Sequence, residues 1–597
     1  MKLLKSKKIK YSIIVSFCLL SVILVFFPDW WMEGSETELI KWYPNFGKII
    51  FFYINYVFDF QFFISAILLF FWLIDNTRIK MLIISFYKKT IDFVAQDVLY
   101  KQMFTIDLFF KSLSIVFFIA FSSVLWQLSL VSENGLIPFK EFACLTFNLE
   151  GYKSIFNYPS IFWISQSNVF ISIVLVISIL LSIVSIFWKP KVISFFLMWF
   201  SYLSIVTFGR DLFQFPWDTF LVEIGFLAIF AVYFVINLNR LPYLINIAFL
   251  ILFFRQWFSM GMTKLVYSDF SWYDFSFMKY YWINQPSPTP LAFYMYQTPV
   301  FLQQIFTFLV LVFELLIPAL IIFGRKGKII SFFLSLIISC AIQLNGNFGF
   351  FNLLTIILGF WCLDDKFFGK VRLQEIPKIS SISKGMFSTL SLGIITLIIS
   401  INLMYISFWI IDEKTQKHPA NFLNYYIPKK ESKMSFPFEF ISNFRLVSPH
   451  GVFKGIPHER IHIEIFVLTK KEKWIKLKFN KGNDILNFSY SAPIMYRLPF
   501  NFFYQSYGFS FNNYLKINKN SKNIPSWMEG LINGLFKQSL ELRELIIYPQ
   551  DEILKIKFVR NKVEMIQPNL LKFTLIDSRI IDKDDKFKTP IFKMKFN

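Results

Sequence analysis

Five ionisable residues lie inside long apolar runs of this chain: Asp59, Asp218, Glu223, Arg255 and Glu314. In hydrocarbon such a group costs roughly 2.5 to 3.5 kcal/mol on insertion scales, which makes each one a candidate for chemistry or for a buried bond. Counted from the outer ends of their runs at about 1.5 Å per residue, Glu223 and Arg255 come to a similar shallow depth on consecutive antiparallel helices. An ion pair between them is expected, and it would serve equally well to fix helix register. Glu314 stands near mid-membrane with Pro318 one turn on. A proline there leaves a backbone carbonyl free, so a protonated Glu314 reads as a strut between helices or as part of a proton relay. Asp59 has no partner that the sequence identifies. Lys264, at the outer end of its run, either snorkels to the interface or, if buried, serves as a desolvated base.

Other chemistry is sparse. The four histidines, His418, His450, His458 and His462, all fall in the last third, so the apolar part has no imidazole for a metal or for proton transfer. His458 and His462 are four apart on a strand-like segment and so face one side. With His450 they form a conceivable ligand set, but no cysteine accompanies them, and neither a metal site nor a cofactor is expected. Cys18, Cys340 and Cys362 lie in apolar runs and Cys144 in a loop, which argues against a disulfide scaffold. No P-loop, dinucleotide glycine fingerprint or nucleophile elbow is evident.

The elements that must position these residues follow from composition. A chain of 597 residues with 55% hydrophobic residues, 20% aromatics and a mean hydropathy of +0.52 is too apolar for an ordinary soluble enzyme. A spanning helix needs roughly 17 to 25 apolar residues. Runs of that kind occur at 11–28, 49–74, 112–131, 162–188, 192–209, 217–237, 243–260, 301–323, 329–344, 349–363 and 386–411. The ninth and tenth are separated at Asn345-Gly346-Asn347, a turn signal. The fold class is therefore a polytopic α-helical membrane protein of about eleven spans with a C-terminal, mostly β, soluble domain.

Lysine and arginine collect before the first span, in 75–111, in 324–328 and in 364–385, all on one side if the spans alternate. That side is cytoplasmic. The N-terminus is then cytoplasmic, and the 29–48, 132–161 and 261–300 loops and everything after 411 lie on the opposite side. The first run is long enough for a retained anchor, and the aromatic Pro28-Asp29-Trp30-Trp31 after it suits an interface better than a cleavage site. Three regions result: an N-terminal membrane extension, 1–111, with two spans and a basic cytoplasmic loop; a transmembrane domain, 112–411; and a soluble domain, 412–597. Strand-like alternation in 461–465, 474–479 and 554–558 gives the last its β character, with a helix near Trp527 to Leu542. This domain carries 31 Lys and Arg against 18 Asp and Glu. Beside a bilayer that charge attracts anionic headgroups, and a non-cytoplasmic location argues against nucleic acid as a partner.

The 261–300 loop is the most unusual stretch. Pro286, Pro288 and Pro290 alternate after Tyr280-Tyr281-Trp282-Ile283-Asn284-Gln285, which forbids a regular helix and stiffens the chain. The loop reads either as an interfacial plug or as a binding rim on rigid backbone.

Several motifs together resemble the lipase maturation factor family. They are Gly346-Asn347-Phe348-Gly349-Phe350-Phe351-Asn352-Leu353-Leu354-Thr355 closing at Leu363-Asp364-Asp365; Gln285-Pro286-Ser287-Pro288-Thr289-Pro290 with upstream Lys264-Leu265, Asp269 and Trp272; Glu133-Asn134-Gly135-Leu136-Ile137-Pro138; Phe213-Gln214-Phe215-Pro216-Trp217-Asp218 with Glu223-Ile224-Gly225-Phe226; and Phe313-Glu314-Leu315-Leu316-Ile317-Pro318. The resemblance runs from about 110 to 365 and continues faintly to Trp474 and Arg497-Leu498. Family members usually carry His-Tyr-Glu before Gln-Pro, where this chain has Tyr281-Trp282-Ile283, so roles of those residues do not carry over.

The resemblance implies a multipass protein that assists folding or maturation of secreted proteins such as lipases, with membrane lipids and client chains as partners. It marks Trp272, Gln285, Pro286, Asn347 and Asn352 as binding residues beside the intramembrane Asp218, Glu223, Arg255 and Glu314. A more distant similarity, through Gly261, Lys264-Leu265 and Trp272, links the family to the vitamin K-dependent gamma-glutamyl carboxylase. It implies an alternative: a membrane enzyme acting on a lipid or quinone-like substrate with Lys264 as catalytic base. The expected location is a bacterial inner membrane, or an endoplasmic reticulum membrane in a eukaryote.

Overall fold

Apolar runs of hydrocarbon length fold as helices because only a helix bonds every backbone group within its own segment. The computed structural model of the protein describes residues 98–266, 270–370, 386–411, 436–448, 450–480, 489–508, 526–567 and 570–583. The chain divides into two units, 1–94 and 95–597, and the described residues belong to the second. The runs at 11–28 and 49–74, with Cys18, Asp59, Asp269 and His418, lie outside them.

Nine helices take up the remaining apolar runs: α1 (Leu99–Trp126), α2 (Asn168–Phe187), α3 (Val192–Phe208), α4 (Pro216–Val232), α5 (Tyr243–Val266), α6 (Val300–Ile321), α7 (Gly324–Asn345), α8 (Phe351–Gly359) and α9 (Met386–Ile411). Six of them, α1, α2, α4 with its continuation to Asn237, α5, α6 and α7, are long and apolar enough to cross a membrane. α3, α8 with its continuation to Cys362, and the stretch Leu390–Leu403 of α9 are apolar but shorter. The protein is thus a multi-pass helical membrane protein, and six full-length candidates are found among the described residues, which leave out two of the eleven expected runs.

α1 begins well before the expected 112. Its early charges sit on the exposed face, where Lys111 pairs with Asp107 one turn back at 2.8 Å, while Ile106, Phe109, Phe110, Leu113, Val116 and Phe117 form the buried stripe. Charge alone therefore disguised about three and a half turns of helix as loop. Cys144, expected in a loop, lies on the helix Phe139–Glu150.

α4 and α5 are buried on almost every side, whereas α2 turns Val169, Ile173, Ile177 and Leu180 outward. Asp218, Glu223, Arg255 and Lys264 all ride on the two enclosed helices, where protein groups rather than lipid surround them.

Beyond α9 the chain forms a four-stranded antiparallel sheet in the order β2-β1-β5-β6 and a two-stranded sheet of β3 and β4. The strands are β1 (Arg460–Thr469), β2 (Trp474–Lys476), β3 (Lys478–Phe479), β4 (Ile546–Ile547), β5 (Ile553–Gln567) and β6 (Leu570–Asp582). Helices α10 (Arg497–Gly508) and α11 (Ser526–Lys537) accompany them. The expected helix from Trp527 to Leu542 is interrupted at Gln538, whose φ of 54° is left-handed.

α11 docks on the 128–138 segment of the membrane part. Ser539 Oγ donates to Asn134 O at 2.8 Å, and a Cβ built on Gly530 falls 1.9 Å from Leu136 O. That carbonyl cannot step aside, because Ile137 N–H bonds Leu130 O at 2.7 Å. Gly530→Ala is therefore expected to destabilise this docking by about 1–3 kcal/mol, the usual range for overpacking. Faster release of the C-terminal domain by protease in isolated membranes is the expected readout.

Candidate functional site

The ionisable residues of α4, α5 and α6 fall into three buried clusters, and each is completed by a residue from beyond α9. The first lies at the start of α4, which Pro216 opens at its first turn. Asp218, fully buried, accepts two parallel bonds from Arg497 at the head of α10, Nη1 to Oδ2 at 2.8 Å and Nη2 to Oδ1 at 2.7 Å. Tyr202 of α3 donates to the same carboxylate at 2.6 Å. Arg497 also donates to Leu212 O at 2.7 Å and stacks 3.9 Å over Phe213. This fork-to-fork geometry is the strongest form of a charge-assisted pair.

The second cluster centres on Glu223, five residues further along α4. Arg255 of α5 donates Nη2–H to Glu223 Oε1 at 2.5 Å, so the pair expected from depth counting does form. The other carboxylate oxygen faces His450 Nε2 at 2.8 Å. A carboxylate only accepts, so Nε2 carries the hydrogen. Burial holds the His450 imidazole below its ordinary range, against the pull of Glu223, and the ring stays neutral at pH 7. Arg255 also lies 5.4 Å over the Tyr405 ring of α9, a cation–π contact.

The third cluster corrects two expectations. Glu314 is not a lone protonated strut: Lys264 of α5 meets it at 2.6 and 2.9 Å. Nor does Lys264 snorkel, since it is 2% exposed. Its ammonium also reaches Met260 O and Val452 O, each at 3.3 Å, and lies 5.2 Å over the Trp272 ring. Glu223 bonds to Arg255 and His450 rather than to Lys264.

The 261–300 segment, read as plug or rim, is the seat of the C-terminal domain. Trp272 Nε1 donates to Phe453 O at 3.0 Å and Asn284 Nδ2 to Pro457 O at 2.8 Å. Gln285, fully buried, donates to Asn345 O at 2.9 Å, beside a bridge between Pro288 and Gly346. Asn347 holds the incoming chain on both sides, donating to Ser489 O at 2.8 Å and accepting from Ser491 N and Ala492 N at 2.9 and 3.0 Å. Asn352 donates to Gln343 Oε1 at 2.8 Å and braces the α7–α8 turn. Pro286 borders a cleft of about 20 Å³ shared with Asn347 and Met495, room for about one water molecule.

The three histidines considered together as ligands part company. His450 goes to Glu223, His458 lies before β1 and stacks 4.0 Å from Tyr280, and His462 is buried in β1 opposite Asn561. No group of three His, Cys, Asp or Glu side chains suited to a metal is found among the described residues. Sequence reasoning missed His450 and Arg497 as partners of Glu223 and Asp218. The available signal was Arg497-Leu498 within the faint C-terminal resemblance.

Comparison with known proteins agrees with these motifs. Residues 104–370 match the family model described as the lipase maturation factor transmembrane domain. Human lipase maturation factor 1 is 28% identical over 277 residues, covering 43% of this chain and 48% of that protein. Lipase maturation factor 2 of Xenopus laevis is 28% identical over 278 residues, 43% of this chain and 38% of that protein. Bovine lipase maturation factor 1 aligns over 381 residues at 23% identity, 59% of this chain and 65% of that protein. The matched region spans about half the length of the first two of these relatives or less. No solved structure matches. The carboxylase-like alternative gains no support from these relatives.

Proposed function

We propose, taking residues 104–370 as a lipase maturation factor transmembrane domain, that this protein is a membrane-embedded factor assisting the folding or maturation of exported proteins, lipases among them. The observation that carries the reading is that match, extended by the docking described above. His450, Val452 and Arg497 bind the C-terminal domain to buried charges of the matched region, and in this reading the two together face the compartment where clients fold.

In this reading the chain has eleven spans in three regions, 1–111, 112–411 and 412–597, with the N-terminus in the cytoplasm of a bacterium and the basic domain across the inner membrane. Anionic headgroups hold that domain near the bilayer, and nucleic acid is not a partner. Edge strand β6 exposes Phe573, Leu575, Ile576 and Ile580, apolar surface of the kind that tolerates varied clients.

Deletion tests the proposal. The specific activity of exported lipases, measured as activity per amount of secreted protein, is expected to fall severalfold and to return with the full chain. Unchanged activity and abundance of exported lipases and other envelope proteins would sink it.

A further inference from the structure

The end of the bundle remote from the C-terminal domain holds a second feature that the maturation reading does not use. The starts of α1, α5 and α7 and the end of α8 enclose a cavity of about 530 Å³, within the usual size of small-ligand sites. Five cations line it, Lys101, Arg325, Lys328, Lys366 and Lys370, against two carboxylates, Asp364 and Asp365.

Both carboxylates are engaged by the protein. Asp364 takes two bonds from Arg325, at 2.6 and 2.9 Å. Asp365 bonds α1 just past its non-helical break at Gln102, accepting from Phe104 N and Thr105 N at 3.0 Å and from Thr105 Oγ1 at 2.9 Å. α7 begins here with Arg325, Lys326 and Lys328 in its first turns and no acidic residue, so basic side chains add to the positive end of the helix dipole. The lining therefore has a surplus of three positive charges among the described residues.

The walls are fixed. Asn246 Nδ2 donates to Gln102 Oε1 at 2.7 Å, and Gln102 Nε2 to Leu363 O at 3.1 Å. Lys370 is held 3.4 Å over the Phe104 ring. A rigid, roomy pocket with surplus cations at the end of a helix bundle is where an anionic headgroup meets a membrane protein.

We propose that this pocket is a phosphate site, taking the phosphate of an anionic lipid headgroup or a free phosphate anion. The purified full chain in detergent is compared by native mass spectrometry with phosphatidylglycerol, phosphatidylcholine or inorganic phosphate added. Retention of phosphatidylglycerol over phosphatidylcholine by roughly tenfold, lost in Lys328→Gln/Lys370→Gln, is the expected result, since each basic residue near a headgroup contributes measurably to the attraction. Retention of inorganic phosphate with no lipid preference would assign the site to the free anion. Equal retention of the two lipids by the wild type, with no phosphate held, overturns the proposal whether or not the double variant folds. So does a preference that survives in a double variant whose elution and tryptophan fluorescence are those of the wild type.

Discussion

Arg497→Leu is expected to cost about 3–5 kcal/mol, the range for breaking a buried ion pair by removing one partner. Asp218 is fully buried, and among the described residues only Tyr202 would remain to bond it. Arg497→Lys is expected to recover part of the loss, because an ammonium cannot reproduce the two parallel bonds of the guanidinium. Asp218→Leu/Arg497→Leu removes both charges and should cost less than the sum of the two single changes. Thermal unfolding of the wild type, Asp218→Leu, Arg497→Leu and Asp218→Leu/Arg497→Leu in detergent provides the cycle. Strict additivity would show that Asp218 and Arg497 do not couple.

Lys264→Met is expected to cost a similar 3–5 kcal/mol, since it leaves Glu314, 1% exposed, without its cation. Lys264→Met/Glu314→Leu should recover most of that stability and restore exported lipase activity in a deletion strain. Recovery of both assigns Lys264 a structural role. A double variant that accumulates normally yet fails to rescue would give the lysine a chemical one.

Much of the membrane part is legible in the sequence because the hydrocarbon imposes a length that runs of Phe, Ile and Leu must meet. The Glu223–Arg255 pair was legible for a related reason: depth on neighbouring helices can be counted. The start of α1 was not, because a helix edge that faces outward carries the same charges as a loop. The clusters' third members were illegible for a different reason. His450 and Arg497 lie 227 and 279 residues from the carboxylates they bond, and no periodicity links a charge in one domain to its partner in another. The 261–300 segment shows the same limit. Its prolines announced the non-helical backbone found at 285–289, although Pro290 opens the short helix Pro290–Tyr296, and nothing in them says that the chain's own C-terminal domain sits on it.

The order of synthesis gives these long-range pairs a consequence in time. Asp218 enters the membrane 279 residues before Arg497 exists. At about 5–20 residues per second the carboxylate waits roughly 15–55 seconds for its counter-charge. Glu223 acquires Arg255 after 32 residues but His450 only much later. A ribosome that stalls between 411 and 497 would leave in the bilayer a nascent chain with an unanswered charge at the mouth of its bundle.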